Sequence, residues 1–194
     1  MEVIQRVFFH ELGHFIAHEL NHKHYNGTGV EEMALFPCEE NTNEFCGHCK
    51  PIKNSEENNP VLIERLPEYL AVLVHGCLFQ AYFMKQNFTE CLCCQGNGSR
   101  DLMDWTAILS SFKQNTSNFS SIEDEFFKRI TTENALERFS KLNIWDYITN
   151  TDNQRYLVNI EKLRDDISVG IVEYLPYYNE LITQYKLKVR HPMT

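Results

Sequence analysis

Basic charge is what this chain is short of: 18 lysines and arginines stand against 27 aspartates and glutamates, a net charge of −9 with the histidines neutral. Such a surface repels a phosphate backbone, so nucleic acid is excluded as the main partner. Long apolar runs are missing as well. The most apolar stretch, Tyr69 to Met84, is interrupted by His75 and Gln80 and falls short of the ~20 residues that cross a bilayer, so it predicts a buried core helix and no membrane insertion. The opening Met1-Glu2-Val3-Ile4-Gln5-Arg6 lacks the basic n-region and apolar core of an export signal. Seven cysteines, an odd number, then favour free or metal-bound thiols in a reducing compartment, and the expected location is cytoplasmic.

What the chain does have is 43% apolar residues over 194 positions, enough for one domain with a proper core and too little for two. Near its start stands His10-Glu11-Leu12-Gly13-His14. Histidines four apart lie one above the other on a helix, so both imidazoles can reach one ion. Glu11 is turned away by about a third of a turn and can address a water beside that ion without ligating it. Gly13, without a side chain, lets another element approach closely. The pattern recurs as His18-Glu19-Leu20-Asn21-His22, eight residues on. At helical rise that is about 12 Å away, too far to share an ion. Asn21 replaces the glycine, and His24, Asn26, Gly27 and Gly29 signal a helix end. His10 and His14 are therefore the expected ligands, with His18 and His22 a neighbouring stripe.

Periodicity predicts a first helix over residues 2 to 25, a turn-rich excursion from Asn26 to Pro60 with one short strand around Val30 to Phe36, and a second helix from about Pro67 to Lys85. A cysteine-bearing loop follows, then a helix from Arg100 to about Lys113 behind Ser99, with Asp101 and Asp104 in its first turn. Trp105 and Phe112 read as core. Amphipathic helices are expected from Ser121 to Ser140 and from Thr151 to Lys188. The class is mainly α, with at most a small β element near residues 28–37.

A hydrolytic zinc site uses three protein ligands and an open position, so the histidine pair needs a partner. Glu31 and Glu32 lie shortly beyond the motif but in the turn-rich excursion; Asp101 and Asp104 are the stronger candidates. Here a resemblance bears on the choice. Phe8-Phe9-His10-Glu11-Leu12-Gly13-His14-Phe15-Ile16 resembles the motif helix of the FtsH-type (M41) zinc peptidase domain. Leu70-Ala71-Val72-Leu73-Val74-His75-Gly76-Cys77-Leu78 is similar to that family's next helix, and Gly98-Ser99-Arg100-Asp101-Leu102-Met103-Asp104-Trp105-Thr106 to the segment bearing its third ligand.

The resemblance implies a single helical zincin-type domain over 1–194, with the metal site within 1–114 and a helical C-terminal part in 115–194. It implies Zn2+ on His10, His14 and Asp101, with Asp104 the alternative third ligand, and Glu11 as the general base. Where the family carries a glutamate near the ligand histidines this chain has Gln80, the expected second-rank support of the site. No nucleotide-binding G-x-x-x-x-G-K-S/T segment occurs. The implied activity is cleavage of unfolded or flexible polypeptides, with a separate unfoldase or adaptor as a partner. Two other classes stay open: a non-catalytic metal-binding regulatory or interaction module, and a structural zinc protein organised by Cys46, Cys49, Cys91 and Cys94, which would hold a second ion. Ordinary free thiols compete with that last reading.

Overall fold

A computed structural model of the chain describes residues 2–38, 44–53, 62–93, 98–150 and 155–189. Helix α1 spans Glu2–His24, and Val7, Phe8, Leu12, Phe15, Ile16 and Leu20 are all fully buried. Apolar side chains spread that widely around a helix require neighbours on several sides. Helix α2, Leu66–Met84, supplies the most intimate one. It begins with Pro67 in its first turn, where a missing N–H costs nothing, and closes on Lys85 in the left-handed conformation at φ 53°. A Cβ on Gly13 would lie 2.1 Å from the His75 carbonyl oxygen, so the two helices touch backbone to backbone. The close approach expected at Gly13 is thus made by α2.

Beyond the second helix come α3 (Phe88–Cys93), α4 (Gly98–Ser111), α5 (Ser117–Thr132) and α6 (Ile160–Lys188). Cysteine-bearing α3 replaces an expected loop. The helix expected to run from Ser121 to Ser140 ends early, because Asn134 turns left-handed at φ 51° and a 3-10 turn, Glu137–Lys141, follows. Helix α6 starts later than its amphipathic pattern suggests. Asn159 caps it by accepting the Lys162 amide at 3.1 Å, and the residues before it form a strand. Leu163, Ile167, Ile171, Tyr174, Tyr178, Leu181 and Tyr185 make its buried stripe, three or four apart.

The β structure exceeds the single strand expected. Strands β1 (Val30–Pro37), β2 (Phe45–Pro51), β3 (Ile148–Asn150) and β4 (Tyr156–Val158) form an antiparallel sheet in the order β2-β1-β4-β3. It packs on α1 through β2 and β1. The molecule is mainly α with a small sheet, and among the described residues no helix is long and apolar enough to cross a membrane.

Candidate metal centre

His10 and His14 project from the middle of α1, their Nε2 atoms 3.1 Å apart. Helix α4 brings Asp101 to them from its first turn, where a carboxylate also suits the positive end of the helix dipole. Its Oδ2 lies 2.9 Å from Nε2 of His10 and 3.3 Å from Nε2 of His14. Among the described residues this is the one group of histidine, cysteine or acidic side chains whose ligand atoms lie close enough to hold an ion. Asp104, one turn further along α4, is exposed and outside the cluster. Glu31 and Glu32, the early candidates on β1, are engaged elsewhere: Glu31 pairs with Lys50, and Glu32 lies 2.7 Å from both His48 and Arg155.

Burial sets the electrostatics. His10 and His14 are only 2% and 8% exposed. Burial alone would drive His14 towards neutrality, yet the Asp101 carboxylate raises its pKa to about 9. Asp101 shows the converse: burial pulls its pKa up, and the two imidazoles outweigh that and hold it well below the usual carboxylate range. Both shifts describe a pocket that favours one positive charge, whether a proton or a cation. The Nδ1 of His14 donates to the Val72 carbonyl at 2.8 Å, which turns Nε2 towards Asp101 and His10. The corresponding Nδ1 of His10 is buried with no hydrogen-bond partner among the described residues.

Two glycines that carry no donor atom shape the site. A Cβ on Gly76 of α2 would lie 2.5 Å from His14 Nε2 and 2.8 Å from both Cε1 and Nε2 of His10, so the space over the imidazoles exists because that side chain is missing. On β2, a Cβ at Gly47 would lie 2.5 Å from Glu11 Cγ and 2.7 Å from its Oε1. Strand β2 therefore rests on the Glu11 carboxyl group, which is 4% exposed; burial raises its pKa against the lowering pull of His14 and His10. Spacing along one helix reveals neither contact, and only the unusual glycines in the α2 and Cys46-Gly47-His48-Cys49 segments signal them.

The second copy of the motif has a different task. Glu19, buried, accepts from Arg164 of α6 at 3.0 and 3.1 Å, while Asn21 donates to the Glu68 carbonyl and accepts from Tyr178. His22 meets the Gly27 carbonyl at 3.0 Å. His18 is driven to a pKa of about 4 by burial, reinforced by His14. Glu19 and Asn21 thus tie α1 to α6 and α2.

Two expectations about supporting residues are corrected. Gln80 does not reach the histidines; its amide donates to Gln86 at 3.0 Å and to the Cys91 sulfur at 3.6 Å. It lies one helical turn beyond Gly76, about 6 Å further along α2. The proposed cysteine-zinc set also fails. Cys46 is joined to Cys38 in a disulfide that the β1–β2 pairing makes natural, with Cα atoms 5.2 Å apart. Cys49 and Cys91 are free thiols, held protonated as burial pushes Cys49 up and Cys91 to about 11. Cys94 lies outside the described residues. The expectation of wholly free or metal-bound cysteines gives way accordingly. No protein-family model matches the sequence, and no curated protein matches it.

Proposed function

We propose that the chain is a zinc-dependent endopeptidase acting on unfolded or flexible polypeptides. The observation that carries this reading is the convergence of His10, His14 and Asp101 beside Glu11. Four tetrahedral ligands at 2.0–2.1 Å from zinc stand ~3.3 Å from one another, and the three separations of 2.9, 3.1 and 3.3 Å approach that figure. Asp101 Oδ2 is buried without a well-formed hydrogen bond, as suits an atom whose lone pair serves an ion. Two imidazoles and one carboxylate are the donor types that hold the ion of a hydrolytic zinc site.

An ion held there would supply the charge that acidifies water and polarises a peptide carbonyl. The protein's own groups do the rest. Glu11, one residue from a ligand and packed against Gly47, would accept a proton from water and pass it to the departing amine. Among the described residues strand β2 is an edge of the sheet and carries Gly47 at the site, so an extended chain pairing with that edge would run past Glu11. Folded domains cannot present such a chain, and a separate unfoldase or adaptor would have to open them.

The test is Glu11→Gln. Wild-type protein supplied with zinc should cleave a reduced, alkylated polypeptide and lose that activity to a chelator. The variant should keep the metal and cleave nothing. Wild-type rates in the variant, or activity unchanged by chelation, would refute the reading.

A further inference from the structure

The hairpin that rests on Glu11 is tied by a disulfide. Side chains alternate between the two faces of a strand, so on β2 Gly47 meets Glu11 and Val7 of α1 while its neighbour Cys46 faces away and bonds to Cys38. Both cysteines are half-buried, within reach of a thiol from solvent. Cys38 follows β1 directly and donates its amide to the Glu44 carbonyl at 2.9 Å, so the cross-link sits at the end of the β1–β2 ladder. Gly47, opposite Leu35, is only two pairs in from the Pro37–Phe45 pair that closes the strands there. Among the described residues no strand flanks β2 on its other side. A strand end held on one side frays readily, and a cross-link between cysteines eight positions apart suppresses such opening by ~10–100-fold on chain-entropy grounds. Cys38 and Cys46 lie outside all three segments that resemble the zinc peptidase family.

We propose that Cys38–Cys46 is a thiol-exchange site that controls Glu11: closed, it holds β2 against the carboxyl group, and a dithiol that opens it releases the strand and slows the reaction. The inference rests on the peptidase reading for what is slowed. A thiolate of the dithiol attacks one cysteine sulfur, the S–S bond breaks, and the other cysteine leaves as thiolate; the second thiol then resolves the mixed disulfide. Two electrons pass to the protein, the dithiol ends as a disulfide, and both cysteines end as thiols. The proposed ligands stand on α1 and α4, so the ion stays in place. Glu11 loses the Gly47 backbone that fixes it, and a catalytic group displaced by ~1 Å can lose ~100-fold in rate.

Zinc-loaded protein is compared before and after reduction by a water-soluble trialkylphosphine, which takes oxygen from water to become the phosphine oxide. The double variant Cys38→Ser, Cys46→Ser is run beside it, and alkylation followed by mass spectrometry counts the thiols. Hydrogen exchange of the Phe45–Lys50 amides needs no catalysis. Reduction should speed that exchange at least ~10-fold, leave zinc bound, and lower cleavage of a reduced, alkylated polypeptide at least ~10-fold, and reoxidation should restore both. The double variant should match the reduced protein and ignore the phosphine. Unchanged exchange once both thiols are shown to be free, loss of zinc on reduction, or faster cleavage by the reduced form would overturn the proposal, the last making β2 a cover over Glu11. Redox-dependent exchange without cleavage in either state would remove the peptidase reading and keep the exchange site; cleavage indifferent to redox state would do the reverse.

Discussion

Gly76→Ala should remove the ion site without altering a ligand. The added methyl carbon would stand 2.5 Å from His14 Nε2 and 2.8 Å from two atoms of His10, where ordinary contact needs ~3.5 Å, so something must give by about 1 Å. The helices cannot shift along the other contact, because Gly13 already meets the His75 carbonyl with no room for a side chain. The imidazoles must swing, and metal bonds tolerate only ~0.2 Å of error. Indirect changes around bound metals already lower affinity by ~10–100-fold, and this one acts on the ligand atoms themselves, so a loss of at least ~100-fold is expected. Overpacking should cost about 1–3 kcal/mol in stability as well. Competition with a chromophoric chelator measures the affinity, and thermal melts with and without zinc measure the coupling. Wild type should gain stability from zinc and the variant should not. Gly47→Ala is the paired control. Its methyl would press on Glu11 and not on the imidazoles, so it should keep zinc and lose hydrolysis. Zinc bound by Gly76→Ala with wild-type affinity would show that the ion does not sit between α1 and α2.

Asp101→Ala should release zinc on dialysis and Asp104→Ala should retain it, because only Asp101 reaches the imidazoles; the opposite pattern would discard the third ligand assigned here. Burial pushes the Glu123 carboxyl up to about 7 from 4.5, against the lowering effect of the Tyr185 hydrogen bond. Between those pH values the folded state keeps a proton that the unfolded state has lost, so stability should fall as pH rises, by about 3 kcal/mol in all. Glu123→Gln should flatten that slope, and urea midpoints at pH 5 and pH 8 decide it: an unchanged slope in the variant would clear Glu123 of the effect. A stable folded domain should resist the protein under conditions in which a disordered chain is cleaved; equal rates for both would dispense with a separate unfoldase.

The histidine pair and Glu11 could be read from the sequence because one helix fixes their relative placement, and α1 runs almost as its apolar pattern requires. Asp101 could not, since 87 positions of sequence separate it from His14, and resemblance of short segments is what singles it out. Contacts across elements were harder still. Gly76 and Gly47 act by leaving space, which no spacing rule records, and Gln80 drew attention through a substituted position although it lies a turn beyond the histidines. Strand β2 carries Cys46-Gly47-His48-Cys49, a segment that reads as thiol-rich loop because its pairing partner, β1, was needed to make it a strand. The three-residue strands β3 and β4 are too short to impose an alternation; the helix expected from Thr151 takes in β4, and β3 falls in the unassigned stretch before it.

Helix α6 carries no donor to the site, yet Arg164 holds Glu19 across 145 residues of sequence, Tyr178 holds Asn21 across 157, and Tyr174 meets His75 across 99. Contacts that remote form late, because the entropy of closing a long loop precedes any gain from the contact. Synthesis runs in the same direction: the motif helix leaves the ribosome long before the helix that clamps it. Until then α1 has an unclamped Glu19 and α2 an untethered His75, and the geometry around the imidazoles lacks its outer support. The proposed peptidase site would be complete only as α6 docks, so a chain whose α6 has not yet been made would spare both itself and its nascent neighbours.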